Sequence, residues 1–260
     1  MKYALAIAAA AGLATVANAA TAINFDVSND GGNTWSSSIN ADTGQTVYVR
    51  MRVSLSGATA LGLSGFTVQP VLSNWGAGDV RNEFTFPGLD NTGAATTETT
   101  YDGRHVASTP STNTGRIFPF GSGGQGASSS SGLLTSFVDA GNRLRFAGSK
   151  NTTETTNVAW GVAIAQNPPA LAGTNFNGQL NATVFRYSIT LGAGHVDSMV
   201  ADMTQLSGGL VKWYLNSTGT SVLSDNSITV NPGTINFVPA PGAMALLGLG
   251  GLVATRRRRA

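Results

Sequence analysis

The chain has 260 residues, 42% of them hydrophobic and only 11% charged, and it contains no cysteine. Glycine, threonine, serine and asparagine number 33, 30, 24 and 20, so turns, hydroxyls and amides wet the surface where charges normally would. This excludes a coiled coil, a disulfide-stapled mini-domain and a zinc-thiolate protein, and it disfavours a charged helical enzyme.

Met1-Lys2-Tyr3 is a short basic start, followed by an uncharged apolar run from Ala4 to Val16. Ala17-Asn18-Ala19 supplies the small side chains that signal peptidase pockets accept. Residues 1–19 therefore read as a secretory signal peptide cut after Ala19. The run is too short for a membrane span, which needs about 20 apolar residues.

A first strand is expected over Ala22 to Val27. Ser28-Asn29-Asp30-Gly31-Gly32-Asn33-Thr34-Trp35 follows. It resembles the Asp-box, Ser-x-Asp-x-Gly-x-Thr-Trp, at Ser28, Asp30, Gly32, Thr34 and Trp35. Asp30 is placed to accept backbone N–H bonds across a tight turn, and the glycines supply positive φ. The motif occurs once, which argues against a propeller and for a structural hairpin. Asp26, Ser28 and Asp30 also alternate like the start of a calcium loop. Position twelve is Ser37, where an EF-hand needs a bidentate Glu. A full EF-hand is excluded, and a weaker loop site stays open, with calcium the one cofactor considered.

The clearest strand is Gln45 to Ser56, where Val47, Val49, Met51, Val53 and Leu55 alternate with Tyr48, Arg50, Arg52 and Ser54. Gly65 to Leu72 is the next expected strand. Trp75, in a Ser-Asn-Trp-Gly loop, is the candidate for stacking on a ligand sugar. Glu83 to Phe86 is a short candidate strand, and Glu83 is the acid a glycosidase reading would test first. Residues 90–115 and the Gly/Ser/Gln run from Gly121 to Gly132 read as loops on either side of Ile117-Phe118-Pro119-Phe120.

Leu133 to Val138 and Arg143 to Ala147 read as strands joined by a turn at Asp139-Ala140-Gly141-Asn142. Val158 to Ala165 is another. In Asn181 to Leu191, the residues Thr183, Phe185, Tyr187, Ile189 and Leu191 are expected to share one face. Val196, Met199, Val200, Met203 and Leu206 recur at helical spacing before Gly208-Gly209, which predicts one short helix. Leu210 to Leu215 and Ser227 to Val238 complete the set. Trp160 and Trp213 lie in apolar strands and are expected to be buried.

Many short strands with Gly and Asn punctuation predict a mainly β fold over residues 20–237. The expected architecture is a single antiparallel β-sandwich, jelly-roll or cohesin-like, with one short helix. Two stretches carry a resemblance to the cohesin-like sandwiches of exported bacterial proteins: Thr43 to Arg50, where a polar turn feeds a long alternating strand, and Val184 to Ile189. That resemblance implies a binding module.

The tail has three parts: Val238-Pro239-Ala240-Pro241-Gly242, an apolar stretch from Met244 to Ala254, and the cluster Arg256, Arg257, Arg258 and Arg259. The prolines forbid regular pairing and leave the segment extended. Gly242 to Ala254 makes about 20 Å of helix, short against a hydrocarbon core of about 30 Å. The arginines favour the cytoplasmic face and act as a stop-transfer brake. The order resembles the PEP-CTERM sorting signal over residues 238–260, as a Val-Pro-Ala-Pro-Gly variant with Ala240 where the family most often has Glu. The resemblance implies transient membrane retention, cleavage by an exosortase and release to the cell surface.

Without Lys2 and the terminal arginines, ten basic residues face thirteen acidic ones, a net charge of −3. The basic balance belongs to the two ends, so a nucleic-acid partner is not expected. Two histidines, His105 and His195, define no triad, and ten of the thirteen acids are Asp, mostly in turn-like contexts. The resulting expectation is a non-enzymatic surface or matrix module that binds glycan or matrix proteins. The alternatives are a polysaccharide-active hydrolase or lyase and a calcium-stabilised adhesin.

Overall fold

The structure is a computed structural model; it describes residues 19–82, 88–89, 95–96, 120, 133–149, 162–172, 176–205, 211–225 and 227–238. The first strands are β1 (Ala20–Ser28), β2 (Ser38–Ala41), β3 (Thr46–Ser56), β4 (Gly62–Leu72) and β5 (Val80–Asn82). A small hairpin, β6 (Gly88–Leu89) and β7 (Ala95–Thr96), precedes β8 (Leu133–Val138), β9 (Leu144–Ser149) and β10 (Val162–Ala165). After one helical turn, α1 (Pro169–Ala172), come β11 (Asn181–Thr190), β12 (Met199–Gln205), β13 (Val211–Tyr214), β14 (Val222–Asp225), β15 (Ile228–Asn231) and β16 (Gly233–Phe237).

Two sheets make the sandwich. One has five strands in the order β15-β1-β3-β11-β5. The alternation in β3 builds its centre: Val47, Val49, Met51, Val53 and Leu55 are buried, while Tyr48, Arg50, Arg52 and Ser54 are half-exposed on the outer face. The second sheet runs β14-β13-β4-β12-β16-β2, with β10 and β9 also paired to β4 and β8 to β9. The long β4 is its spine. Its first half pairs β13 and β10, and its second half pairs β12 and β9. The inner faces meet in one core that includes Phe25, Met51, Leu63, Phe146, Tyr187 and Trp213.

Most pairings are antiparallel, but β1–β15 and β16–β2 are parallel. The run Ser227 to Val238, expected as one strand, is two strands in different sheets. Pro232 separates them; with no N–H to donate, it marks the place where the chain crosses over.

The part of the expected Val196 to Leu206 helix that is described is not helical: Met199–Gln205 form strand β12, and Leu206 with Gly208-Gly209 lies outside the described residues. Met199 and Ala201 are buried at period two, and the strand is hydrogen-bonded between β16 and β4. Val196 is 90% exposed. The register of β12 slips after Met203, whose partner on β4 is Pro70, a residue with no ladder donor. The expected face of β11 is also corrected. A bulge after Thr183 turns Ala182 and Val184 inward with Phe185, Tyr187 and Ile189, and leaves Thr183 half-exposed. The hairpin turn at Asp139–Asn142 forms, with Asn142 at φ 53° and the Asp139 carboxylate accepting from the Gly141 and Arg143 N–H groups.

Tyr187 lies wholly inside the core, with its ring 4.6 Å from that of Phe146. Its hydroxyl has no hydrogen-bond partner among the described residues, and burial pushes its pKa well up. An unsatisfied buried hydroxyl costs free energy, whereas its apolar isostere does not. Tyr187→Phe is therefore expected to be neutral or to stabilise by about 1 kcal/mol. A urea midpoint lowered by the equivalent of about 1 kcal/mol would contradict this assignment.

The expected strand at Glu83 to Phe86, the loops at 90–115 and 121–132, His105, Trp160, the signal residues Ala17 and Asn18, and the tail from Pro239 onward lie outside the described residues, apart from Ala95–Thr96 in β7. Among the described residues no helix is long and apolar enough to cross a membrane.

Candidate functional site

The turn after β1 is tied by its own polar side chains. Asp30 Oδ1 accepts from the Ser28 hydroxyl at 2.7 Å and from the Asn33 and Thr34 N–H groups at 3.0 Å. Its Oδ2 accepts from the Thr34 hydroxyl at 2.6 Å. Ser28 Oγ in turn accepts from the Gly32 N–H, and Gly31 and Gly32 take φ values of 80° and 83°. A backbone bridge between Val27 and Ser36 closes the loop.

Trp35 is thereby laid against the outer face of the five-stranded sheet. The Arg50 guanidinium is 4.5 Å from its ring centroid and that of Arg186 is 5.1 Å away, both at cation–π range. Gly32 makes room for this contact, since a Cβ there would lie 3.1 Å from the Trp35 ring and collide with Arg186. Arg50 and Arg186 are direct cross-strand partners on β3 and β11. Two like charges placed opposite one another are unfavourable in a sheet. Burial and the neighbouring Arg50 charge lower the Arg186 pKa to about 10.

Asp26, one of the three residues of the calcium loop site left open by the sequence, is held by Arg50 at 2.8 Å and by Arg52 at 2.5 Å. A carboxylate compensated by two guanidiniums is poorly placed to bind a cation, which weighs against the open calcium reading of Asp26, Ser28 and Asp30. The oxygens of Asp30 are likewise occupied within its turn. Beyond the arginines the face continues in amides and hydroxyls. Asn231 donates to Asn24, and Arg52 donates to Asn181.

Trp75 is half-buried and packed on the core, so it offers less ring surface than a free stacking platform would. Trp213 is fully buried, and its indole N–H donates to Thr21 at 3.1 Å. His195 is paired with Asp79, not with the nearby Asp197. Its Nε2 lies 2.7 Å from Asp79 Oδ1, and its ring stacks on Phe237 at 4.1 Å. Asp79 also accepts from the Gly76 and Gly192 N–H groups at 2.7 Å. Three bonds to one enclosed carboxylate join two loops in this way, which suits a structural clamp better than a base reaching for substrate. The arginine–tryptophan cluster had no local signal in the sequence. Arg50 and Arg52 were visible on the wet side of β3, but their meeting with Arg186 depends on strand register.

Asp26, Asp30 and Asp139 are all held below the usual carboxylate range. At Asp26 burial pulls upward, and the hydrogen bonds and charges of Arg52 and Arg50 outweigh it. At Asp30 the Thr34 hydroxyl acts first, then the Thr34 N–H and Ser28; at Asp139 the Arg143 guanidinium acts first. Depressed folded values contribute stability that is complete above the unfolded pKa of about 4 and is lost as pH falls through the folded values. The unfolding midpoint is expected to be flat in this respect from about pH 7 to 5 and to decline below about pH 4. A midpoint unchanged at about pH 2 would refute this.

No family model and no curated protein sequence matches the chain. Its fold is similar to solved cohesin modules. The sixth cohesin of scaffoldin B from Acetivibrio cellulolyticus, solved with a Cel5 dockerin, is 8% identical with a TM-score of 0.39, covering 84% of this chain and 99% of that one. A type II cohesin, A11, from Bacteroides cellulosolvens is 12% identical with a TM-score of 0.37, covering 84% and 99%. The cohesin module of a family 33 glycoside hydrolase from Clostridium perfringens is 8% identical with a TM-score of 0.33, covering 83% and 98%.

Proposed function

We propose that this chain is an exported, non-enzymatic binding or structural module of the cell surface or extracellular matrix. On this reading the signal peptidase removes residues 1–19, and the tail holds the chain at the membrane until an exosortase-type enzyme cuts it. The observation that carries the module reading is the outer face of the five-stranded sheet: a continuous polar surface in which Trp35 is set over Arg50 and Arg186. The enclosed His195–Asp79 pair supports the same reading, because its polar atoms serve the junction between two loops.

The placement of the strands supports processing at both ends. Strand β1 begins at Ala20, directly after Ala17-Asn18-Ala19, and β16 ends at Phe237, one residue before the Val238–Gly242 motif. Both cuts would spare every paired strand residue among the described residues. Intact-mass measurement of the protein recovered from culture supernatant tests this. The expected species begins at Ala20 and lacks the residues after the Pro-rich motif. A full-length, membrane-held species would overturn it.

A further inference from the structure

We infer that the outer face of the five-stranded sheet, at Trp35, Arg50, Arg52 and Arg186, binds an acidic polysaccharide; this rests on the binding-module reading above. Among the described side chains of this face stand three guanidiniums and the single carboxylate of Asp26, which lies between Arg50 and Arg52. Asp30, in the adjoining loop, has its oxygens turned into its own turn. The excess positive charge is local, since the chain without its two end segments carries a net charge of −3.

The cross-strand arginine pair is costly by charge alone. Arg186 and Arg50 are opposed across two strands, where unlike charges stabilise and like charges repel. Arg186 is also partly withdrawn from water, which costs further. The cation–π contacts of both arginines with Trp35 offset part of this cost, and the face still carries three guanidiniums against one described carboxylate. An anion bound beside Trp35 at these guanidiniums offsets the repulsion with charge-assisted hydrogen bonds, and guanidiniums suit carboxylate and sulfate oxygens.

Three further features select a sugar polymer. Trp35 brings an indole to the arginines, and aromatic rings pack against apolar pyranose faces. Asn24, Asn181 and Asn231 offer amides to hydroxyl groups beside the arginines. The patch is compact on a body of opposite net charge. Nucleic acid, with about one charge per 1.7 Å, calls for a longer basic track. A chain carrying its acid groups sparsely, one per sugar or per few sugars, matches this surface better.

The test uses the protein recovered from culture supernatant, without its arginine-ended tail, and four immobilised probes: polygalacturonate, neutral dextran, polyglutamate and duplex DNA. The wild type is expected to be retained on polygalacturonate, to bind the other three much more weakly, and to lose binding as salt rises. The double variant Arg50→Gln/Arg186→Gln is expected to bind at least about tenfold more weakly. Trp35→Ala is expected to lose about fivefold or more. Circular dichroism and thermal melting of each variant separate lost binding from lost fold. Should the double variant unfold, Arg186→Gln alone, which keeps both ion pairs of Asp26, gives the readout. Equal retention of folded variants and wild type, no binding of polygalacturonate, or equal binding of polyglutamate or DNA would each overturn the inference. Dextran binding that ignores these substitutions would overturn it and leave the module reading standing. Shortening of the polymer by the protein would overturn the module reading itself.

Discussion

Asp79→Ala is expected to destabilise the fold by about 2–6 kcal/mol, as two backbone donors lose their acceptor at about 1–3 kcal/mol each. The Asp79 side chain is fully buried, and its two oxygens hold the Gly76 and Gly192 N–H groups and His195 Nε2. Removing the carboxylate leaves two backbone donors without their acceptor, and each such loss costs about 1–3 kcal/mol. The site has little freedom to relax. A Cβ on Gly192 would lie 2.7 Å from Gly78 Cα, so the two loops already touch backbone to backbone. His195→Ala is expected to cost less, because Asp79 keeps both N–H bonds. Urea unfolding of the two variants checks the order. A loss below about 1 kcal/mol for Asp79→Ala would show that the clamp is not structural.

Trp213→Ala is expected to cost about 3–5 kcal/mol, as large-to-small changes of buried aromatics do. Trp213 sits on β13, inside the second sheet, with no exposed surface. Its N–H donates to Thr21 Oγ1, and the Thr21 N–H donates to Asp225 at 2.8 Å. The indole therefore links the second sheet to the start of β1 as well as filling volume. Trp213→Phe should recover much of the packing but not this bond. It is expected to fall between wild type and alanine in denaturant midpoint. Equal losses for the two variants would mean that the hydrogen bond, not the volume, sets the cost.

Elements with a clean period of two were legible before any coordinates. Gln45 to Ser56 reads as a half-buried strand because every second side chain is apolar, and β3 buries those residues. The Asp139–Asn142 turn was legible because Asp, Gly and Asn each do a separate job in it. Strand β12 was misread because Met199, Val200 and Met203 also match a helical face, while the inward Ala201 shows only a methyl group. Its partners β4 and β16 decided the outcome. Strands β2, β5 and β14 have three or four residues and little apolar surface, so pairing alone defines them. The site was half visible. Arg50 and Arg52 were read as the wet side of a strand, and Ser28 to Trp35 as a turn. Their convergence with Arg186 required the β3–β11 register, including the bulge after Thr183, which no local pattern announces.

The parallel pairing of β16 with β2 has a mechanical consequence. It brings Val238 against Ala41, just before the turn that starts β3 at Thr46, whereas Ala20 sits opposite Ser56, where β3 finishes. Eleven extended residues separate those two levels, roughly 35 Å. Pulled from both ends, the sandwich would be loaded lengthwise along its central strands, so many hydrogen bonds would resist in shear together instead of opening one by one.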